Sequence, residues 1–74
     1  MKFTVDLPAG ANFVPSSLIY RWAKSMGFEC WQTMDGKKVR TPAGVMQYQR
    51  YNIAHDGDTD HVTVYMEPDQ LHNK

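Results

Sequence analysis

The stretch VMQYQRYNIA, residues 45–54, alternates like a β-strand but changes phase in the middle. Met46 and Tyr48 are even-numbered, whereas Tyr51 and Ile53 are odd-numbered, so an unbroken strand would send the two pairs to opposite faces. One extra residue at position 49 or 50, a β-bulge, would return all four to one face. The alternative is that both faces of this strand are partly covered.

Two other stretches alternate without a break. KFTVDL (residues 2–7) and HVTVYM (residues 61–66) place an apolar residue at every second position, which predicts half-buried strands. Pro68 is expected to end the second of them. The residues predicted to face inward are Phe3, Val5, Leu7, Val62, Val64 and Met66.

The segment VPSSLIYRWAKSMG, residues 14–27, has a helical period instead. Pro15 or Ser16 suits the first position of a helix, and Gly27 suits the position just after its end. At about three turns such a helix is marginal alone, so it must pack on a sheet. Its predicted buried stripe consists of Leu18, Ile19, Trp22, Ala23 and Met26.

The second strand in chain order is predicted over FECWQTM, residues 28–34, with Phe28, Cys30 and Met34 on one face and Trp31 on the other. The following DGKK, residues 35–38, indicates a hairpin, because Asp-Gly suits a two-residue turn with positive φ. KVR, residues 38–40, is then expected to pair back. TPAG, residues 41–44, interrupts the apolar pattern.

The order strand, helix, then several strands joined by short turns predicts an α+β fold. We expect a small antiparallel sheet of 3–5 strands with one helix packed on one face (strand-helix-strand-strand-strand). Residues 1–74 are expected to form a single domain, with residues 69–74 a frayed tail.

Composition excludes several classes. No apolar run approaches the roughly 20 residues of a membrane helix, and the N-terminal residues have no signal-peptide core. Cys30 is the only cysteine, so an internal disulfide and a cysteine-based zinc site are excluded. These features predict a cytoplasmic protein that does not enter membranes.

The stretch HDGDTDH, residues 55–61, is the one candidate for a metal site. Counted from Asp56, it resembles an EF-hand calcium loop, with acids at positions 1, 3 and 5 and Glu67 at position 12. His61, however, occupies position 6, where that loop needs glycine for its sharp turn. We therefore expect a polar hairpin turn, with no metal and no cofactor.

A basic cluster predicts a possible nucleic-acid surface. Lys37, Lys38, Arg40 and Arg50 lie near Tyr48 and Tyr51, and cations with stacked aromatic rings bind single strands. The alternative is a solvated edge hairpin whose lysines discourage aggregation. Nucleic-acid binding is the second hypothesis.

The first hypothesis is a protein-binding module. No catalytic motif is present, so we expect no enzyme and assign no catalytic residues. The aromatic residues exceed what one helix and a small sheet readily bury, and exposed Tyr, Trp and Arg anchor interfaces. Chains of this size include phage-encoded accessory proteins that inhibit or redirect a host protein, and we expect that kind of role. The predicted partner-binding residues are Trp31, Tyr48, Arg50, Tyr51 and Tyr65, unless the aromatics complete the core; the oligomeric state is left open.

Overall fold

The computed structural model describes residues 1–69 and confirms the α+β fold. The elements in chain order are β1 (Lys2–Pro8), α1 (Pro15–Met26), β2 (Glu29–Thr33), β3 (Gly36–Thr41), β4 (Gly44–Asp56) and β5 (Thr59–Pro68). The five strands form one sheet in the order β1-β5-β4-β3-β2, and every neighbouring pair is antiparallel. None of the described residues forms a helix long and apolar enough to cross a membrane.

The hydrophobic core lies between α1 and one face of the sheet, which we call the helix side; the other face is the open side. Alternate residues of the strands supply the sheet half of this core, as the period-2 pattern predicts. Their partners are residues on one stripe of the helix. The fully buried members are Phe3, Leu18, Ile19, Ala23, Val39, Met46, Val62, Val64 and Met66.

The helix begins at Pro15 and is followed by Gly27 in a left-handed conformation, as the sequence predicts. Met26, predicted to be buried, is instead exposed. The reason is the reversal at Gly27, after which the N–H of Phe28 donates to the carbonyl of Ala23. This turn sets Phe28 edge-to-face on Trp22, with ring centroids 5.5 Å apart, so Phe28 covers the end of the helix.

The predicted β-bulge is present in β4. Tyr48 pairs with Met66, but the next registered pair is Arg50 with Tyr65, so Gln49 is the extra residue. Beyond it Tyr51 pairs with Val64, which places Tyr51 on the helix side. Met46, Tyr48, Tyr51 and Ile53 therefore all face the helix side, as the first interpretation of the phase change predicts.

Two turns of the sheet are built alike, and one of them, between β2 and β3, is displaced by one residue from its predicted position. The β2–β3 turn occupies Met34 and Asp35, not Asp35 and Gly36, and Met34 is fully exposed rather than inward-facing. The β3–β4 turn is TPAG itself, which is a hairpin connection. In both, a threonine hydroxyl accepts the N–H two residues later and donates to the glycine carbonyl. The glycines, Gly36 and Gly44, take positive φ values of 125° and 117°.

A buried ion pair on the open side corrects two predictions. Lys38, which was predicted either to bind nucleic acid or to be solvated on an edge hairpin, is only 2 % exposed, and so is Asp69, predicted to begin the frayed tail. Their Nζ and Oδ2 atoms are 3.3 Å apart, and Lys38 also donates to Gln47. The Asp69 N–H donates to the Val45 carbonyl at 2.9 Å, so backbone pairing continues past Pro68. Residues 70–74 lie outside the described residues.

Replacing Asp69 by alanine should destabilise the fold strongly, because it leaves the Lys38 ammonium buried without its carboxylate. Removing one partner of a buried pair costs about 3 kcal/mol or more. Urea unfolding measures the change in the free energy of unfolding, and Asp58→Ala at an exposed position is the control. The double variant Lys38→Met with Asp69→Leu should recover most of the loss. Equal stability of Asp69→Ala and the wild-type chain would contradict the buried pair.

Candidate functional site

The helix is too short to cover the sheet. At 1.5 Å per residue, its 12 residues span about 18 Å. The 13 residues of β4 span about 40 Å at the rise of a strand. The far half of the β4–β5 hairpin therefore projects beyond α1, and residues 49–56 are all exposed.

Apolar side chains remain uncovered beyond the N-terminal end of the helix. Tyr51 and Ile53 face the helix side but are 41 % and 40 % exposed. Phe13 packs edge-to-face on Tyr51 with ring centroids 5.2 Å apart, and Val14 beside it is exposed. We call these four residues the apolar patch. Sequence reasoning identified Tyr51 but missed Phe13 and Val14, although two apolar residues directly before a helix-initiating proline are a visible signal.

Two shallow clefts adjoin the apolar patch. The first, of about 280 Å³, lies between the start of α1 and the β2–β3 hairpin, and it includes Val14, Ile19, Lys37 and Tyr48. The second, of about 480 Å³, lies between β1 and α1 and includes Phe13 and Val14. Burial raises the pKa of the Tyr48 phenol, so this hydroxyl stays neutral and can donate a hydrogen bond. Val14 lines both clefts and Phe13 lines the second, whereas Tyr51 and Ile53 line neither.

The five predicted partner-binding residues do not form one surface. Tyr48 and Tyr51 lie on the helix side, whereas Trp31, Arg50 and Tyr65 lie on the open side. Tyr48 is also partly buried against the core. Only Tyr51 belongs to the apolar patch.

Arg50 and Tyr65 form a separate unit at the centre of the open side. The guanidinium of Arg50 lies over the Tyr65 ring, 3.9 Å from its centroid. Asn52 ties the two together, because its carbonyl accepts from Arg50 at 3.2 Å and its amide donates to the Tyr65 hydroxyl at 3.4 Å. These contacts hold the Arg50 side chain flat against the sheet.

Trp31 lies at the other end of the open side. The Arg40 guanidinium stands over its ring at 5.4 Å and is also 3.7 Å from the Glu29 carboxylate. This pairing crosses between β2 and β3, where Glu29 lies directly opposite Arg40.

The four basic residues of the second hypothesis are dispersed. Lys37 points to the helix side, 5.3 Å from the ring centroid of Tyr20. Lys38 is buried with Asp69 and cannot reach a phosphate. Arg40 and Arg50 share the open side but lie on either side of the β4 bulge. The geometry gives no common basic surface.

The HDGDTDH stretch forms the β4–β5 turn and anchors β1 to it. The Asp60 carboxylate faces the helix side, accepts the Gly10 N–H at 3.0 Å and pairs with His55. His61 faces the open side, where its Nδ1 lies 2.6 Å from Asp6 and its Nε2 lies 3.6 Å from Asp56. The two histidines therefore point to opposite faces. Within residues 1–69, no three His, Cys, Asp or Glu side chains are placed to hold a metal ion.

These contacts shift two ionisation equilibria. The hydrogen bond from the Gly10 N–H, helped by His55, lowers the pKa of the Asp60 carboxyl. The hydrogen bond to Asp6, helped by Asp56, raises the pKa of the His61 imidazole. Both shifts favour the charged form of the side chain, the carboxylate of Asp60 and the imidazolium of His61.

The pKa of Cys30 is shifted so that the neutral form of its side chain is favoured. Burial raises the pKa of its thiol, although the charge of Lys37 acts against the shift. A thiol with a raised pKa is not an activated nucleophile.

No family model, curated protein or solved structure matches the chain.

The histidine and aspartate pairs predict how stability depends on pH. His61 has a raised pKa in the folded state, so its contribution is complete below pH 6.5, the ordinary imidazole value, and is lost as pH rises through the raised value. Asp60 has a lowered pKa, so its contribution is present above pH 3.8 and is lost as pH falls through the lowered value. Stability against urea should therefore be highest between these limits.

Asp6→Asn should remove most of the decline above pH 6.5, since Asp6 is the main cause of the His61 shift. Asp58→Asn, at an exposed position in the same hairpin, should leave the decline unchanged. Urea unfolding across the pH range, with an NMR titration of the His61 ring, measures both effects. A decline of the same size in Asp6→Asn would show that another group causes it.

Proposed function

We propose that this chain is a non-enzymatic protein-binding module that engages its partner through the apolar patch. The single observation that carries the proposal is the uncovered apolar surface of Val14, Tyr51 and Ile53, beside the half-buried Phe13, which the fold leaves beyond the N-terminal end of the helix. Large apolar side chains grouped on a surface are costly to leave in water and mark interaction sites.

The character of the patch supports a protein partner. It combines two aromatic rings held edge-to-face with aliphatic side chains, and the clefts on either side of Val14 could receive a partner's side chains. Tyr is among the residue types that dominate binding energy at interfaces, because a rigid ring loses little entropy when it is buried.

The surroundings of the titratable groups support a role without catalysis. The two histidine–aspartate pairs face opposite sides of the sheet, and the Cys30 pKa is raised rather than lowered. Asp60 and Asp6 are used to hold the β1 and β5 ends together. We extend the proposal to an accessory protein of the cytoplasm, of the kind phages encode to inhibit or redirect a host protein; a single unpaired cysteine suits a reducing compartment.

The test is partner capture by the wild-type chain and matched variants. Ile53→Asp places a charge in the apolar patch and should weaken binding about 30-fold, equivalent to about 2 kcal/mol for a true anchor. Met34→Asp changes an apolar residue that is fully exposed but distant on the β2–β3 turn, and should bind as the wild type does. Titration by calorimetry with the captured protein measures both affinities.

Salt dependence separates this proposal from nucleic-acid binding. Apolar contacts are little screened, so partner binding should survive moderate salt. Binding to DNA or RNA through dispersed cations should be weak and should fall steeply with salt. Submicromolar, sequence-selective nucleic-acid binding at physiological salt, unaffected by Ile53→Asp, would overturn the proposal.

A further inference from the structure

One edge of β4 is free over its outer half. β3 pairs with β4 only from Gly44 to Gln47, opposite Thr41 to Lys38. Beyond the bulge β4 pairs with β5 alone, and among residues 1–69 no strand lies along its other edge. Residues 50–56 are thus an exposed edge strand of seven residues.

This free edge has little protection against strand pairing. Natural edge strands are shortened or carry proline, charged side chains (lysine above all) or a bulge that discourages the approach of another strand. Residues 50–56, RYNIAHD, contain no proline and no lysine, the bulge at Gln49 lies before them, and their two charged side chains, Arg50 and Asp56, have opposite signs. The unpaired N–H and C=O groups of such an edge are a template for a further strand.

The sequence of the edge is self-complementary in antiparallel register. When two copies are paired about Ile53, Arg50 lies opposite Asp56, Tyr51 lies opposite His55, and Asn52 lies opposite Ala54. Arg50 and Asp56 both project to the open side, so each opposite-charge pair meets on one face. Tyr51, Ile53 and His55 project together on the helix side. Opposite charges in directly facing positions stabilise a strand pair.

We infer that a second copy of this chain binds along residues 50–56 of β4, joining two five-stranded sheets into one continuous ten-stranded sheet. The dimer has a two-fold axis through Ile53 and perpendicular to the sheet. Both helices lie on the same side, and the two apolar patches meet across the axis. The inference does not rest on the proposed function, since it uses the backbone edge and the charges of Arg50 and Asp56, although Tyr51 and Ile53 belong to both surfaces.

Charge reversal tests the register. Sedimentation equilibrium of the wild-type chain should show a monomer–dimer equilibrium. Arg50→Asp or Asp56→Arg places like charges opposite each other twice per dimer and should weaken association at least about tenfold. The swap variant carrying both changes restores opposite charges and should regain the wild-type dissociation constant. Far-UV circular dichroism confirms that each variant is folded.

Cross-linking tests the axis without relying on charge. In a Cys30→Ser background, Ile53→Cys places two thiols face to face across the axis, and oxidation should link the chains covalently. Ala54→Cys, one position along, faces Asn52 of the second copy and should link poorly. A wild-type chain that stays monomeric up to about 1 mM, or a dimer unaffected by either single charge reversal, would overturn the inference. Partner capture in either case would leave the proposed function standing.

Discussion

The pairing of β4 with β5, with its register shift at Gln49, determines which side chains of β4 face the helix side of the sheet. Before the shift, β4 supplies Met46 to the core under the helix; after it, the strand still directs Tyr51 and Ile53 to the same face. Without the extra residue, Tyr51 and Ile53 would lie on the open side, the face that carries Tyr65, because side chains alternate between the two faces along a strand. The apolar patch therefore follows from one inserted residue and from a helix of less than half the strand's length.

Polar contacts fix the two ends of this long sheet. At one end the ion pair between Lys38 and Asp69 ties β3 to the residue after β5, and Asp69 is buried as completely as the core. At the other end Asp60 holds the Gly10 N–H, and the Ala9 N–H donates to the Asp58 carbonyl. A chain this short buries little apolar surface, so directed contacts at its ends add specificity to a small core.

Local patterns were sufficient for most of the fold. Alternation predicted β1 and β5, helical spacing predicted α1, and the phase change predicted a bulge at Gln49 or Arg50, which the structure places at Gln49. The β2–β3 turn was misplaced by one residue: the Thr33 hydroxyl in TMDG makes the same hydrogen bonds as the Thr41 hydroxyl in TPAG, and Gly36 stands after the turn instead of inside it. The burial of Lys38 could not be predicted, since its partner Asp69 is distant in sequence. The candidate site was predicted only at Tyr51, because which apolar residues stay uncovered depends on where the helix packs.

Proton–proton contacts measured by NMR test the central claim, that Gln49 is an extra residue which keeps the outer half of β4 facing the helix side. Side-chain contacts from Tyr51 to Val64 and Phe13, and from Ile53 to Val62, are the predicted result. Contacts from Tyr51 to the side chains of Thr63 and Tyr65 would contradict it. That result would place the strand in unbroken register and remove the apolar patch.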